Sequence, residues 1–257
     1  VPLATVQPMP TGSGVTVAVI DSGIAVNADL KTNLGADRVV VRWSAMPGST
    51  VDEFGHGTHV AGIIGGNAKA SSGPYAMRTF RGVAPNVRLI SLKVLGADGT
   101  GEVSNVLQAI DWILSNRSAY GIRIVNLSLG HPVAESCAKD PLCQGVESLN
   151  AAGIVVVVSA GNWGKLGYGS VTSPGIAPNA ITVGASTSVI DQQFGSASCR
   201  AATSSPTTAR SSGGPPNPPT DSGQPNRPKP DAQSACLTRW YCCICSFCSD
   251  APSTSLS

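Results

Sequence analysis

Residues 55–62 read GHGTHVAG. Gly55 and Gly57 flank His56 and let backbone approach it closely from both sides, while Val60, Ala61 and Ile63 have the spacing of a buried helix. An imidazole at the N-terminus of such a helix faces a cleft. There it can serve as a general base, provided the chain supplies a carboxylate to orient it and a hydroxyl for it to activate. The rest of the sequence can be searched for both.

Upstream, residues 15–20 (VTVAVI) form a continuous β-branched run bounded by glycines, the pattern of a strand buried on both faces. The run ends at Asp21. Similar runs recur at 38–41, 88–94, 122–127, 154–158 and 180–183. Between them, Val103, Val106, Leu107, Ile110, Ile113 and Leu114 keep one face of a helix predicted over 102–119. Leu142, Val146 and Leu149 mark another helix, stopped by Gly153. Alternating strands and helices predict an α/β fold: an open, mostly parallel sheet with helices on both faces, incomplete at its C-terminal end. Ligands of such sheets bind beyond the carboxyl ends of the strands. Asp21, Ser128 and Asn162 each follow a strand, so one crevice should hold all three, with His56 facing it.

Only 12% of residues are charged and the formal net charge is +2, so the chain carries no nucleic-acid footprint. Its longest apolar run, 154–158, is far shorter than the ~20 residues of a membrane span, and a soluble protein that binds no membrane is expected. The chain begins at Val1 with no charged and apolar leader, so a signal or pro-segment is expected to have been removed or left out. Cys137 and Cys143 bracket a short loop, where either a local disulfide or two free thiols would fit.

The GHGTHVAG stretch resembles the histidine motif of the subtilisin-like serine peptidases. Asp21, in AVIDSGI, resembles the family's aspartate motif, and Asn162, in SAGNWG, resembles its oxyanion-hole motif. The resemblance spans about residues 14–186. It implies that Asp21 orients His56 and fixes its tautomer, that His56 is the general base, and that the Asn162 amide stabilises the tetrahedral oxyanion. Ser128, Leu129 and Gly130 resemble the strand that pairs with substrate, and Gly99, Thr100 and Gly101 resemble the segment facing it. Together they imply capture of an extended polypeptide by main-chain hydrogen bonds, with glycines keeping those backbones bare. The family likeness also implies a secreted, monomeric endopeptidase that needs no cofactor.

The family's serine motif, Gly-Thr-Ser-Met-Ala-x-Pro opening a long buried helix, does not occur. The nearest stretch, Gly195-Ser196-Ala197-Ser198, follows its strand too closely and leads into sequence that cannot build a buried helix. No nucleophile is therefore assigned, and the chain is expected to be inactive. Two other readings stay open: an inactive peptide-binding module of the same fold, and a metal-binding protein. Without that helix a sheet face should lie bare and favour aggregation.

Three segments are expected: a peptidase domain over 1–191, a disordered Pro/Ser/Gly-rich stretch over 192–231, and a Cys-rich tail over 232–257. Residues 200–231 hold eight prolines and no aliphatic residue larger than alanine. The abrupt change suggests an out-of-frame or rearranged tail. Cys242, Cys245 and Cys248, with Cys236 or Cys243, could offer thiolates to zinc, but the run lacks the further Cys and Pro of a ferredoxin pattern. No metal site is assigned elsewhere. His56 and His59 lack the spacing of a zinc-peptidase helix, and His59 is expected to be a packed structural residue. The loop over 71–80 has no acidic ligand for calcium. Gly12 and Gly14 precede a strand instead of following one, which excludes a dinucleotide fingerprint.

Overall fold

A computed structural model describes residues 11–164, 169–186, 198–201 and 236–237. Seven strands form the main sheet in the order β2-β3-β1-β5-β6-β7-β8. They are β1 (Thr16–Asp21), β2 (Val39–Ser44), β3 (Arg88–Lys93), β5 (Ile122–Leu127), β6 (Val155–Ser159), β7 (Ile181–Ser186) and β8 (Ser198–Ala201). All pair in parallel except β8, which runs antiparallel to β7 at the edge. The helices are α1 (His56–Gly65), α2 (Val103–Tyr120) and α3 (Pro141–Ala151). A short β4 (Gly101–Glu102) pairs antiparallel with β9 (Cys236–Leu237) in a separate two-stranded ladder. The expected open, mostly parallel α/β sheet is the observed fold.

Every residue of β1 is buried. Alternation sends Val17 and Val19 to one face, where they join Ile24, Leu30, Leu89, Val60 and Ala61 under α1. It sends Ala18 and Ile20 to the other, where Ile90, Leu92, Ile110, Ile113, Val125, Leu127, Leu142 and Leu149 pack beneath α2 and α3. Each fully buried Leu or Ile contributes roughly 1.5–3 kcal/mol, so these two layers anchor the fold. The helix ends follow from local chemistry. Gly121, at φ 61°, takes the left-handed turn that closes α2. The Asp140 side chain accepts from Leu142 N and Cys143 N to open α3, with Pro141 as first residue.

Strand order reverses between β1 and β5, since β3 and β2 lie to one side of β1 while β5, β6 and β7 lie to the other. That switch point opens a crevice at the carboxyl ends of β1 and β5. On the α1 side the sheet is covered unevenly among the described residues. Ile124 is half-buried, and Val155, its partner on β6, is 46% exposed. Residues 198–201 form the last strand of the sheet. The stretches read as a disordered segment and a cysteine tail otherwise lie outside the described residues, as do most of the tail cysteines.

Candidate active site

Asp21 ends β1, fully buried, and His56 opens α1 with only 8% of its surface exposed. The chain reversal between them brings His56 Nδ1 to 2.7 Å from Asp21 Oδ1 and 2.9 Å from Oδ2. With Nδ1 so held, Nε2 is the atom left to accept a proton. It is buried, and among the described residues no group bonds to it. The two glycines of the motif do different work. Gly57 packs against backbone: a β-carbon there would overlap Gly23 O and lie 3.1 Å from Asp21 Cβ. Gly55 has open space around it, but its φ of 93° is a left-handed conformation that favours glycine. Close approach on both sides of His56, as expected from sequence, holds on one side only.

A glycine N-cap has no side chain to satisfy the first N–H groups of α1, and two other residues supply the acceptors. Ser22 Oγ accepts from Gly57 N at 2.9 Å, and Asp52 Oδ2 accepts from Thr58 N at 2.8 Å. Asp52 Oδ2 also takes the Thr58 hydroxyl, while Oδ1 takes Gly55 N at 2.7 Å and the Ser22 hydroxyl at 2.8 Å. The loop carrying Asp52 is tied to the sheet by Lys93, buried at the end of β3. Its ammonium donates to Val51 O at 2.7 Å and Glu53 Oε2 at 2.9 Å. The sequence motifs point to neither Ser22 nor Asp52 as a partner of the histidine helix. The usable signal was a capless Gly55 preceded by an acceptor three residues upstream.

Burial pushes His56 down, but the hydrogen bond to Asp21 and the charges of Asp21 and Asp52 outweigh it, so His56 titrates above its ordinary value of 6.5. Asp52 is pushed up by burial and pulled further down by the donors from Thr58, Gly55 and Ser22, so it ionises below 3.8. The signs are opposite. A raised histidine stabilises the fold fully below about pH 6.5, and that contribution fades as pH climbs through the folded value. A depressed carboxylate stabilises above about pH 4, and that contribution disappears as pH falls through the folded value. Thermal midpoints measured from about pH 2 to about pH 9 should therefore decline on both sides. The acid-side slope should shrink in Asp52→Asn, and an unchanged slope would refute the assignment.

The remaining expected site residues line the same end of the sheet. Ser128 and Leu129 follow β5 and are buried, and Ser128 Oγ accepts from Asn126 Nδ2 at 2.9 Å. Gly130 packs against Ser173 O, beside an antiparallel bridge between His131 and Ser173. Asn162 lies exposed three residues beyond β6. Between these two segments Pro132, Val133, Trp163, Val171 and Thr172 line an open recess of about 280 Å³. Across the cleft, Gly99 and Gly101 are glycines for a packing reason: β-carbons there would collide with the Phe54 ring and with Val94 O. Phe54 in turn lies 6.4 Å, centroid to centroid, from His56, so its ring neighbours both Gly99 and the histidine. Thr100 is held in a turn by Asp98, whose carboxylate takes its N–H at 3.0 Å and its hydroxyl at 2.8 Å.

Cys137 and Cys143 form a disulfide. His59 lies on the exposed side of α1. Among the described residues no group of three or more His, Cys, Asp or Glu could hold a metal ion, and no helix is long and apolar enough to cross a membrane. Ser198 stands in an edge strand, not at the head of a helix.

The chain belongs to the subtilase family, whose model matches residues 12–231. It is 42% identical over 177 residues to an alkaline protease of Alkalihalobacillus alcalophilus, covering 68% of this chain and 40% of that protein. It is 41% identical over 177 residues to subtilisin Savinase of Lederbergia lenta, covering 68% and 56% respectively. It is similar in structure to a cold adapted subtilisin-like serine proteinase, with a TM-score of 0.51 and 29% identity over 71% of this chain and 59% of that one. The chain thus spans only about two fifths to just over half the length of these two relatives.

Proposed function

We propose that this chain is a subtilisin-type serine endopeptidase domain that captures extended polypeptide in its crevice but does not turn it over. Asp21 orients the imidazole, His56 is the general base and Asn162 supplies an oxyanion donor. Residues 128–130 and 99–101 clamp the substrate backbone from either side, and the recess beside Asn162 receives an apolar side chain. One observation carries the reading: a buried imidazole held at Nδ1 by a buried carboxylate, with no hydrogen-bond partner at Nε2 among the described residues. Loss of a triad serine typically forfeits ~10⁶ in turnover while binding survives. The pairing of β4 with β9 supports the clamp, because the 101–102 edge accepts an antiparallel strand from the chain's own tail. The disulfide fits an oxidising, extracellular setting.

A fluorophosphonate probe together with an anisotropy titration of a labelled extended peptide tests this. Binding without covalent labelling is expected. Labelling would show that an activated serine exists and overturn the inactivity, whereas no peptide binding at millimolar peptide would overturn the capture. Of the tail cysteines in the metal reading only Cys236 lies among the described residues, and the others fall outside them.

A further inference from the structure

Ser22 has one hydroxyl proton and two carboxylates within reach. Its Oγ lies 2.8 Å from Asp52 Oδ1 and 3.2 Å from Asp21 Oδ1. The first distance is that of a good O–H to carboxylate bond, and the second is beyond the usual range. Gly57 N donates to a lone pair of the same oxygen at 2.9 Å, which fixes the hydroxyl's direction. Asp21 Oδ1 is left with two donors, Ser22 N at 2.7 Å and His56 Nδ1 at 2.7 Å. Had the hydroxyl turned to Asp21, a third donor would compete with the imidazole for the same oxygen.

Asp52 is placed for this with unusual care. Lys93 grips the residues on both sides of it, Val51 and Glu53, and Lys93 itself stands beside Asp21 in the sheet register. Burying a lysine is costly unless its partners hold it, so the 51–53 loop is tied to the strand end that carries Asp21. We propose that Asp52 is a positioning residue for the Asp21–His56 pair: by holding the Ser22 hydroxyl proton it reserves Asp21 Oδ1 for the imidazole. Capping of α1 is the structural part of its role, and proton diversion is the functional part. The functional part rests on the reading of Asp21 and His56 as the working pair.

The charged and titratable groups that bear on His56 are Asp21 from β1, Asp52 from the loop and His59 one turn along α1. Glu53 is paired with Lys93 at the flank. With three histidines in the chain, selective ¹⁵N-histidine labelling of the full-length protein gives an assignable spectrum. The readouts are the low-field Nδ1–H proton resonance and the titration midpoint of His56. In Asp52→Asn the neutral amide competes poorly with a carboxylate for the Ser22 proton, which then turns to Asp21. The His56 resonance should move upfield and its midpoint should fall. Adding Ser22→Ala to that variant removes the competing donor and should recover most of the lost resonance shift. The exposed Asp111→Asn is the control for a distant charge. If Asp52 only caps the helix, Asp52→Asn will lower stability and, through the lost charge alone, the His56 midpoint, while the Nδ1–H resonance stays at the wild-type position, and the inference is overturned. Should Asp52→Asn fail to fold, Ser22→Ala alone decides: an unmoved resonance supports the inference, and a downfield move means the proton was on Asp21 all along. These outcomes are independent of probe labelling and peptide binding, so failure here leaves the peptidase reading to its own test.

Discussion

Replacing Gly57 with alanine is expected to cost about 3 kcal/mol, lower the thermal midpoint by on the order of 10 °C, and break the contact between Asp21 and His56. The added methyl has nowhere to go. It would overlap Gly23 O and press on Asp21 Cβ and Oδ1, the second at 3.2 Å. None of these is the free end of a flexible side chain. Relief requires α1 to move away from the end of β1, which lengthens the Nδ1 to carboxylate distance and removes the Gly57 N–H from Ser22 Oγ. Calorimetry and the His56 proton resonance check both halves. A variant that melts with the wild type and keeps that resonance would show that the helix has slack the packing does not reveal.

The second large effect is expected at Arg38, which is 5% exposed and has no role in the crevice. Its guanidinium donates to Val87 O at 3.0 Å, to Asp29 O at 2.7 Å and to Gly65 O. These carbonyls belong to the approach to β3, a short turn and the last residue of α1, so one side chain bridges three segments. Burial pulls the Arg38 pKa down, and Asp37 and Asp29 partly restore it. Arg38→Met fills similar volume and donates nothing, so the Val87 and Gly65 carbonyls lose this donor, while Asp29 O keeps the Asn67 N–H at 2.9 Å. Each unsatisfied buried group costs about 1–3 kcal/mol, and a loss of about 3–5 kcal/mol is expected, on the order of 10 °C or more in Tm. The Asp21–His56 geometry should persist in whatever fraction stays folded, which distinguishes this variant from Gly57→Ala. Denaturant unfolding with an unchanged m-value and a lower midpoint is the expected signature.

Much of the site was legible because its motifs are local. The apolar run ending at Asp21 and the helix pattern beginning at His56 place both residues at element ends, and parallel α/β topology puts such ends on one side of a sheet. What escaped were residues whose role depends on who faces them. Asp52 looks like one more loop carboxylate, and it becomes a cap and a proton acceptor only when the chain folds back over Ser22 and Thr58. Gly99 and Gly101 were legible as special, but for a substrate reason. Their contacts show that the Phe54 ring and Val94 O already exclude any side chain.

Period, order and residue type thus determined the fold class and the subtilase resemblance and singled out Asp21, His56 and Asn162 as candidates, because each is encoded within a few residues of a strand or helix end. Tertiary structure alone decided which hydroxyl and which second carboxylate stand behind the histidine, and that the 101–102 edge is paired with 236–237. The physical reason is that hydrogen bonds of this kind discriminate over a few tenths of an ångström. Such distances are set by the packing of the sheet against α1 and the Lys93-tethered loop, and no local pattern specifies them.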